Sequence, residues 1–218
     1  MEIQWYGHAA FRISTAQGVN IIIDPYESGG FGGIILYQPI TDPANIVLIS
    51  HDHGDHNCTA GIEGAYSEVR NEGVYDIGGV RIRAISTFHD TSQGSERGKN
   101  LLFVIEADGL RVVHLGDLGH PLDADVVAQI GKTDVLMLPV GGFFTIDAET
   151  ATGVMKAIKP SIAIPMHYKT EKVDLPIADA GGFTKGKECV RVIDDYKIQV
   201  TKESLPGGPE VVLLRHAK

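Results

Sequence analysis

Six residues, His51-Asp52-His53-Gly54-Asp55-His56, constrain this chain more than any other feature of its sequence. They follow the short apolar run Ile46 to Ile49 and Ser50. Three imidazoles and the Asp55 carboxylate crowd into one loop. Protonated rings there would repel one another, whereas neutral rings and a carboxylate can converge on divalent cations. In an extended turn His51 and His53 project to one side and can share an ion, leaving Asp55 and His56 to turn toward a second. A solvated histidine-rich turn that picks up metal adventitiously is the plain alternative. One loop does not complete two coordination spheres, because a zinc-type site takes about three or four protein ligands and leaves a place for water. The fold must therefore carry distant histidines and carboxylates to the end of this strand. His89 follows the Val80 to Ser86 run, Asp117 follows Leu110 to Leu115, and His167 follows Ile162 to Ile164. Each lies just past the C-terminal end of an apolar run, where binding groups collect in α/β sheets.

The rest of the chain supplies such strands. Ile3 to Tyr6, Phe11 to Ile13 and Val19 to Ile23 are apolar runs separated by Gly7-His8 and Gln17-Gly18. Val80 to Ile85 alternates with Arg81 and Arg83, the period of a half-buried strand. Leu101 to Ile105 and Leu110 to Leu115 flank Asp108-Gly109, a strong hairpin signal. Val135 to Leu138 and Ile162 to Ile164 read as buried strands, and Val190 to Val200 and Val211 to Leu214 as a strand-rich tail. Helices are expected from Pro121 to the Gly131 cap, from the Asp147 cap to Ile158 before Pro160, and briefly after His56. Gly29-Gly30-Phe31-Gly32-Gly33 reads as a mobile loop. With no linker or repeat, residues 1–218 form one mixed α/β domain.

A chain of 218 residues buries roughly 70–75% of its unfolded surface, so its stability requires neither disulfides nor a structural metal. A metal site here calls for a chemical explanation. The net charge is −9, from 19 basic and 28 acidic residues, which argues against nucleic acid as the main partner but leaves room for it in a local groove where bound metal supplies positive charge. A small-molecule substrate is the expectation. Cys58 and Cys189 read as reduced thiols, no signal peptide is evident, and no apolar run reaches the roughly 18–20 residues of a membrane span. A cytoplasmic protein is the expectation.

The string HDHGDH resembles the H-x-H-x-D-H signature of the metallo-β-lactamase superfamily, and the order continues with His89, Asp117 and His167 at similar spacings. The segments WYGHAAF, IIIDP, ERGKN, HLGDLGH and PMHYKT resemble one branch, the metal-dependent hydrolases related to ascorbate-6-phosphate lactonase; the match runs from Trp5 to about Lys169. The resemblance implies a four-layer αββα sandwich with a two-metal centre at one edge. Carried over by position, His51, His53 and His89 would bind one ion, Asp55, His56 and His167 the other, and Asp117 would bridge. No cysteine stands among these positions, which separates the chain from the antibiotic-degrading group. Two cations sharing a water would present hydroxide near neutral pH to a small ester, lactone or phosphoester. Zinc, manganese, iron, nickel and cobalt all suit such donors. A sensing domain on the same scaffold and a nuclease are the alternatives.

Weaker candidates surround this set. Asp55 could orient the water or carry a proton to the leaving group. His8 could add a ligand or a donor to substrate, or be an ordinary edge histidine. Asp24 is read as an acceptor fixing the tautomer of a ligating histidine, with a simple turn residue as its rival. Arg97 and Lys99 could clamp an anionic substrate group or belong to a solvated loop. Phe143, beside Phe144, could wall the pocket, and Tyr168 and Lys169 could position substrate. His114 reads as a satisfied core histidine. His120 could reach the edge of the site, and His216 has no evident partner and no claim.

Overall fold

In the computed structural model, which describes Met1 to Lys218, two sheets lie face to face and every strand that ends in a candidate ligand points the same way. The first sheet starts with the antiparallel strands β1 (Glu2–Gly7), β2 (Ala10–Ser14) and β3 (Asn20–Ile23), then adds β4 (Ile46–Leu48) and β5 (Ser67–Val69) in parallel. The second begins with the antiparallel β6 (Gly73–Ile77), β7 (Val80–Phe88), β8 (Lys99–Ala107) and β9 (Leu110–His114). Parallel strands β10 (Val135–Pro139) and β11 (Ile162–Met166) extend it, and β14 (Glu210–Leu213) and β12 (Val190–Val192) close its edge. Asp108 (φ 53°) and Gly109 (φ 72°) both take the left-handed conformation that a two-residue hairpin between right-twisted strands requires.

Strand alternation sorts the apolar side chains into three cores. Ile3, Trp5, Phe11, Ile13, Ile21 and Ile23 meet Ile82, Phe103, Ile105, Met137 and Ile164 between the sheets. On the outer face of the second sheet, Leu102, Val104, Leu136 and Leu138 receive the helices α2 (Ala124–Ile130), α3 (Ala148–Ile158) and α4 (Gly181–Thr184) through Ile130, Ala151, Val154, Ile158 and Phe183. Asp147 caps α3 by accepting the Thr150 N–H at 2.8 Å. On the outer face of the first sheet, Tyr6, Ile22, Val47 and Ile49 are covered by Tyr26, Ile35, Tyr37, Ile40 and Ile62. That layer is thin, consisting of irregular chain and the single turn α1 (Gly30–Gly33). The architecture is therefore the expected α/β sandwich, a single domain, with its helices weighted to one side.

Several local expectations need correction. No helix follows His56; residues 57–66 are turns and extended chain. The glycine-rich stretch forms α1, a distorted turn with left-handed Phe31 and Gly32 rather than an open loop. The tail splits at Asp194-Asp195: β12 joins the second sheet, while β13 (Lys197–Gln199) pairs with β1 in the first. β5 and β6 were not expected. Their exposed, mixed residues carry little apolar periodicity, and pairing with neighbours defines them.

Candidate metal centre

The sheet directions decide where the site forms. β1, β3 and β4 run parallel to one another, as do β7, β9, β10 and β11. Their C-terminal ends deliver His8, Asp24 and the HDHGDH loop from one sheet, and His89, Asp117 and His167 from the other. Three of these exits are backbone-strained: His8 (φ 52°), Asp24 (φ 46°) and His167 (φ 50°) are left-handed. Each such residue costs on the order of 1–3 kcal/mol and persists because its surroundings fix it. His167 N–H donates to the His8 carbonyl at 3.0 Å, which ties the two sheets together at the site.

Asp117 is the focus. Its Oδ2 lies 3.2 Å from Nε2 of His56, His89 and His167, and 3.9 Å from Nε2 of His51. Donors about 2.0–2.1 Å from a shared tetrahedral ion are separated by about 3.3 Å, so this spacing suits one carboxylate oxygen among ligands of common cations. Three groupings could hold a metal ion: His51 with His53 and His89; His51 with His56 and Asp117; and His8 with Asp55, His56 and His167. All the metal positions expected from sequence are thus brought together.

Two further observations test the fit. Nε2 of His51, Nε2 of His56 and Oδ1 of Asp117 are buried with no hydrogen-bond partner, an expensive state for polar atoms without a ligand. Asp24, Asp55 and Asp117 are all buried, and no Lys or Arg forms an ion pair with any of them. Buried carboxylates without a counterion are strongly disfavoured, and divalent cations would supply the missing charge. In the protein alone a proton fills that role. Burial works against a charged His56, yet Asp117 and Asp55 beside it raise its pKa well above the ordinary value. Burial also opposes ionisation of Asp55, but His56 and the hydrogen bond from His8 hold it well below the usual carboxylate range. Burial lowers His51 to about 3, with His56 adding to the effect. The residues fit a cation-binding centre.

Supporting groups aim the ligands. Asp24 Oδ1 accepts the Ser50 N–H at 2.7 Å, and Oδ2 accepts the Ser50 hydroxyl at 2.6 Å and His56 Nδ1–H at 3.1 Å. With its proton committed to Asp24, Ser50 Oγ accepts Nδ1–H of His51 at 2.9 Å. Both rings therefore turn Nε2 toward Asp117. The Asp117 N–H donates to Asn100 Oδ1 at 2.9 Å, while the Asn100 amide donates to Thr87 and the Leu115 carbonyl. Between them Gly116 (φ 54°) leaves no room for a side chain, since a Cβ would overlap the Asn100 amide and stand 2.8 Å from Ser50 Cβ. After His89, Asp90 gathers four backbone N–H groups, from Ser92, Gly94, Glu96 and Arg97. Burial opposes its ionisation, but these donors hold it down at about 2. The sequence reading missed Ser50, Asn100 and Asp90.

The weaker candidates separate. His8 is fully buried, with Nε2 3.0 Å from Asp55 Oδ2 and its ring centroid 4.0 Å from that of His167. Burial and the neighbouring His167 lower it to about 4, so it is neutral near pH 7 and donates to Asp55. An edge position is ruled out. Arg97 and Lys99 line a cleft with His51 and His53, and Arg70, not singled out from sequence, joins them. Phe143 (φ 62°) is 65% exposed and packs edge-on to Phe144 at 4.7 Å, on the loop whose Gly141 abuts the His167 carbonyl. Tyr168 does not join the site: its ring lies 5.2 Å from Trp5 and lines a separate cleft with Lys169 and His216. His114 is a satisfied core histidine, bonded to the Ala9 carbonyl and the Gly116 N–H. His120 bonds the Phe88 N–H and the Pro121 carbonyl, outside the cluster. His216 has a partner after all, Glu171 at 2.7 Å.

Residues 2–167 match the family model of the β-lactamase superfamily domain. The chain belongs to the metallo-β-lactamase superfamily. A UPF0173 metal-dependent hydrolase of Thermoplasma acidophilum is 31% identical over 84% of this chain and 89% of its own. Another, from Carboxydothermus hydrogenoformans, is 31% identical over 84% of this chain and 90% of its own. A crystal structure from Thermotoga maritima, described as a candidate zinc-dependent hydrolase of the superfamily, superposes with a TM-score of 0.82 at 31% identity, covering 98% of this chain and 97% of that one. The metallo hydrolase Igni18 of Ignicoccus hospitalis shares the fold at a TM-score of 0.64 and 20% identity, over 100% of this chain and 96% of its own. This superfamily member is a metal-dependent hydrolase with its His/Asp cluster at the shared strand edge. No helix is long and apolar enough to cross a membrane.

Proposed function

We propose that this protein hydrolyses a small ester, lactone or phosphoester using two divalent cations, zinc by preference. His51, His53 and His89 would hold one, Asp55, His56 and His167 the other, with Asp117 shared. The observation that carries this reading is the convergence of four imidazole Nε2 atoms on one buried Asp117 oxygen, beside buried carboxylates that no Lys or Arg neutralises. When bound, such a pair of ions lowers the pKa of water toward neutrality and polarises the substrate oxygen.

The chain's own residues supply orientation and proton handling. Asp24 and Ser50 keep His51 and His56 in the tautomer that leaves Nε2 free. Asn100 holds the Asp117 backbone in place. His8 donates Nε2–H to Asp55, which keeps that carboxylate ionised and turned toward His56. Asp55 is then the group placed to orient water or pass a proton to the leaving oxygen, with His8 as its positioning partner. Phe143, exposed on the loop that abuts His167, would supply an apolar wall. A net charge of −9 opposes a nucleic-acid backbone as substrate. Free Cys58 and Cys189 suit the reducing cytoplasm.

Elemental analysis of gently purified protein, together with a screen of lactones, phosphodiesters and phosphomonoesters with and without chelator, tests this. About two ions per chain and chelator-sensitive turnover are expected. Protein that neither carries nor takes up metal would overturn the reading.

A further inference from the structure

Beside the histidines lies a cleft of about 480 Å³ whose wall combines His51 and His53 with Arg70, Arg97 and Lys99. Its volume falls within the roughly 300–1,000 Å³ typical of small-molecule sites. Two acidic residues also line it, and both are engaged. Asp52 Oδ1 accepts the Asn57 amide at 2.7 Å and lies 3.6 Å from Arg70, while Glu72 accepts the Ser86 hydroxyl at 2.8 Å. Arg70 is likewise committed, between Asp52 and Glu68. The other two cations are less engaged. Lys99 makes no ion pair or side-chain hydrogen bond, and the nearest carboxylate to Arg97 is that of Glu96, 3.9 Å away. In a chain of net charge −9, an unpaired Lys99 and a loosely paired Arg97 beside the candidate metal ligands form a local reversal of sign.

Both are also held by rigid chain. The Arg97 N–H is one of the four that Asp90 gathers, at 2.8 Å, and the Gly98 carbonyl accepts the His89 N–H at 3.0 Å. The guanidinium leans over the Phe144 ring, 5.7 Å from its centroid. Lys99 opens β8 in register with Phe88. Pre-organised donors bind an anion without first losing loop entropy.

We infer that this cleft is a subsite for an anionic group of the substrate, a phosphate or a carboxylate, carried apart from the bond that is cut. The inference rests on the hydrolase reading and narrows it: the substrate is a small anion whose charged end sits between Arg97 and Lys99 while its scissile group faces His51 and His53. Neutral esters and lactones of the same size lack that anchor.

Binding of inorganic phosphate and of acetate to the metal-loaded protein, followed through backbone amide shifts, tests the subsite independently of turnover. Saturable shifts are expected at Arg97, Gly98 and Lys99. Arg97→Gln and Lys99→Gln should each raise the dissociation constant roughly tenfold, the order of one charge-assisted hydrogen bond. The two probes separate the sources, since the tighter one names the anion. Equal affinities in the wild-type protein and both variants, or no binding of either anion, would overturn the subsite. Chelator-sensitive turnover in the screen of lactones, phosphodiesters and phosphomonoesters reads the parent reaction separately. Turnover with unaltered anion binding would leave the hydrolase standing without the subsite. Variant-sensitive anion binding without turnover would do the reverse.

Discussion

Replacing Asp24 by asparagine changes one oxygen to an NH2 group at a residue whose φ is 46°. Asparagine tolerates that left-handed backbone as well as aspartate does, so strain stays constant and only the hydrogen bonds change. Oδ1 can still accept the Ser50 N–H. Where Oδ2 stood, the new amide is a donor facing His56 Nδ1 at 3.1 Å and Ser50 Oγ at 2.6 Å. The Ser50 hydroxyl can rotate to accept, but it then competes with Nδ1–H of His51. His56 has no such freedom: to accept at Nδ1 it must carry its proton on Nε2, the atom 3.2 Å from Asp117. That tautomer has no lone pair left for a cation.

A hydrogen bond to a charged partner contributes about 1.5–3 kcal/mol, and each 1.4 kcal/mol is about a factor of ten, so one ion should bind roughly 10–100-fold more weakly. The same range is found when groups supporting a metal ligand are removed. Competition with a chromophoric chelator would resolve the two ions. The expected Asp24→Asn result is one weakened ion, the one held by His56, and a smaller change at the other. Ser50→Ala should reverse the emphasis, loosening His51 and sparing His56. If Asp24→Asn retained wild-type affinity for both ions, the tautomer argument would be refuted, whatever its effect on folding.

Three further outcomes follow from the same geometry. Gly116→Ala would place a Cβ against Asn100 and Ser50 on a left-handed backbone, and should cost about 1–3 kcal/mol by urea denaturation while displacing Asp117 enough to lower metal affinity. Removing the metals should re-expose the mutual repulsion of Asp24, Asp55 and Asp117. Ions present at a thousandfold excess over their Kd stabilise by about 4 kcal/mol, so calorimetry should show Tm falling by about 10 °C with chelator. An unchanged Tm would mean that the cluster holds no tightly bound cation. Asp147→Ala should cost about 1 kcal/mol at pH 7 through loss of the α3 cap. The Thr150 N–H holds the Asp147 carboxyl below its ordinary value, so the cap's contribution is full above about pH 4 and fades as pH falls further. The gap between wild type and variant in denaturant midpoint should therefore close in acid; a gap independent of pH would argue against the charged cap.

The ligands were legible in the sequence because each follows an apolar run, and strand alternation is a local signal. His89, Asp117 and His167 could be picked out individually for the same reason. Their supporters were not legible. Ser50, Asn100 and Asp90 are ordinary polar residues. Ser50 and Asn100 gain their partners only when β3, β7 and β9 bring them alongside, and the donors of Asp90 are backbone N–H groups of its own loop, which no residue type announces. Asp24 was visible because it ends a strand before Pro25, yet that position could not separate a turn residue from an anchor. Tyr168 illustrates the converse error. Adjacency to His167 suggested the site, but the left-handed turn at His167 sends the next residue elsewhere, and the Tyr168 ring settled against Trp5.

The left-handed residues explain why the site sits at this edge and needs both sheets. His8 and His167 leave strands of different sheets, each in a conformation that isolated chain avoids. The bond from the His167 N–H to the His8 carbonyl, together with the Trp5 indole on that same carbonyl at 3.0 Å, holds both turns in place. Neither sheet alone could keep its turn, because each is braced by a group from the other or from the core between them. The strain is thus spread across the interface that the cations would also span. Bound ions and sheet packing should then stabilise each other, and loss of either should loosen the other first at this edge. Hydrogen exchange at the His8 and His167 amides, faster without metal while the centres of β2 and β10 stay protected, is the behaviour this coupling requires. Uniform acceleration throughout both sheets would place the coupling elsewhere.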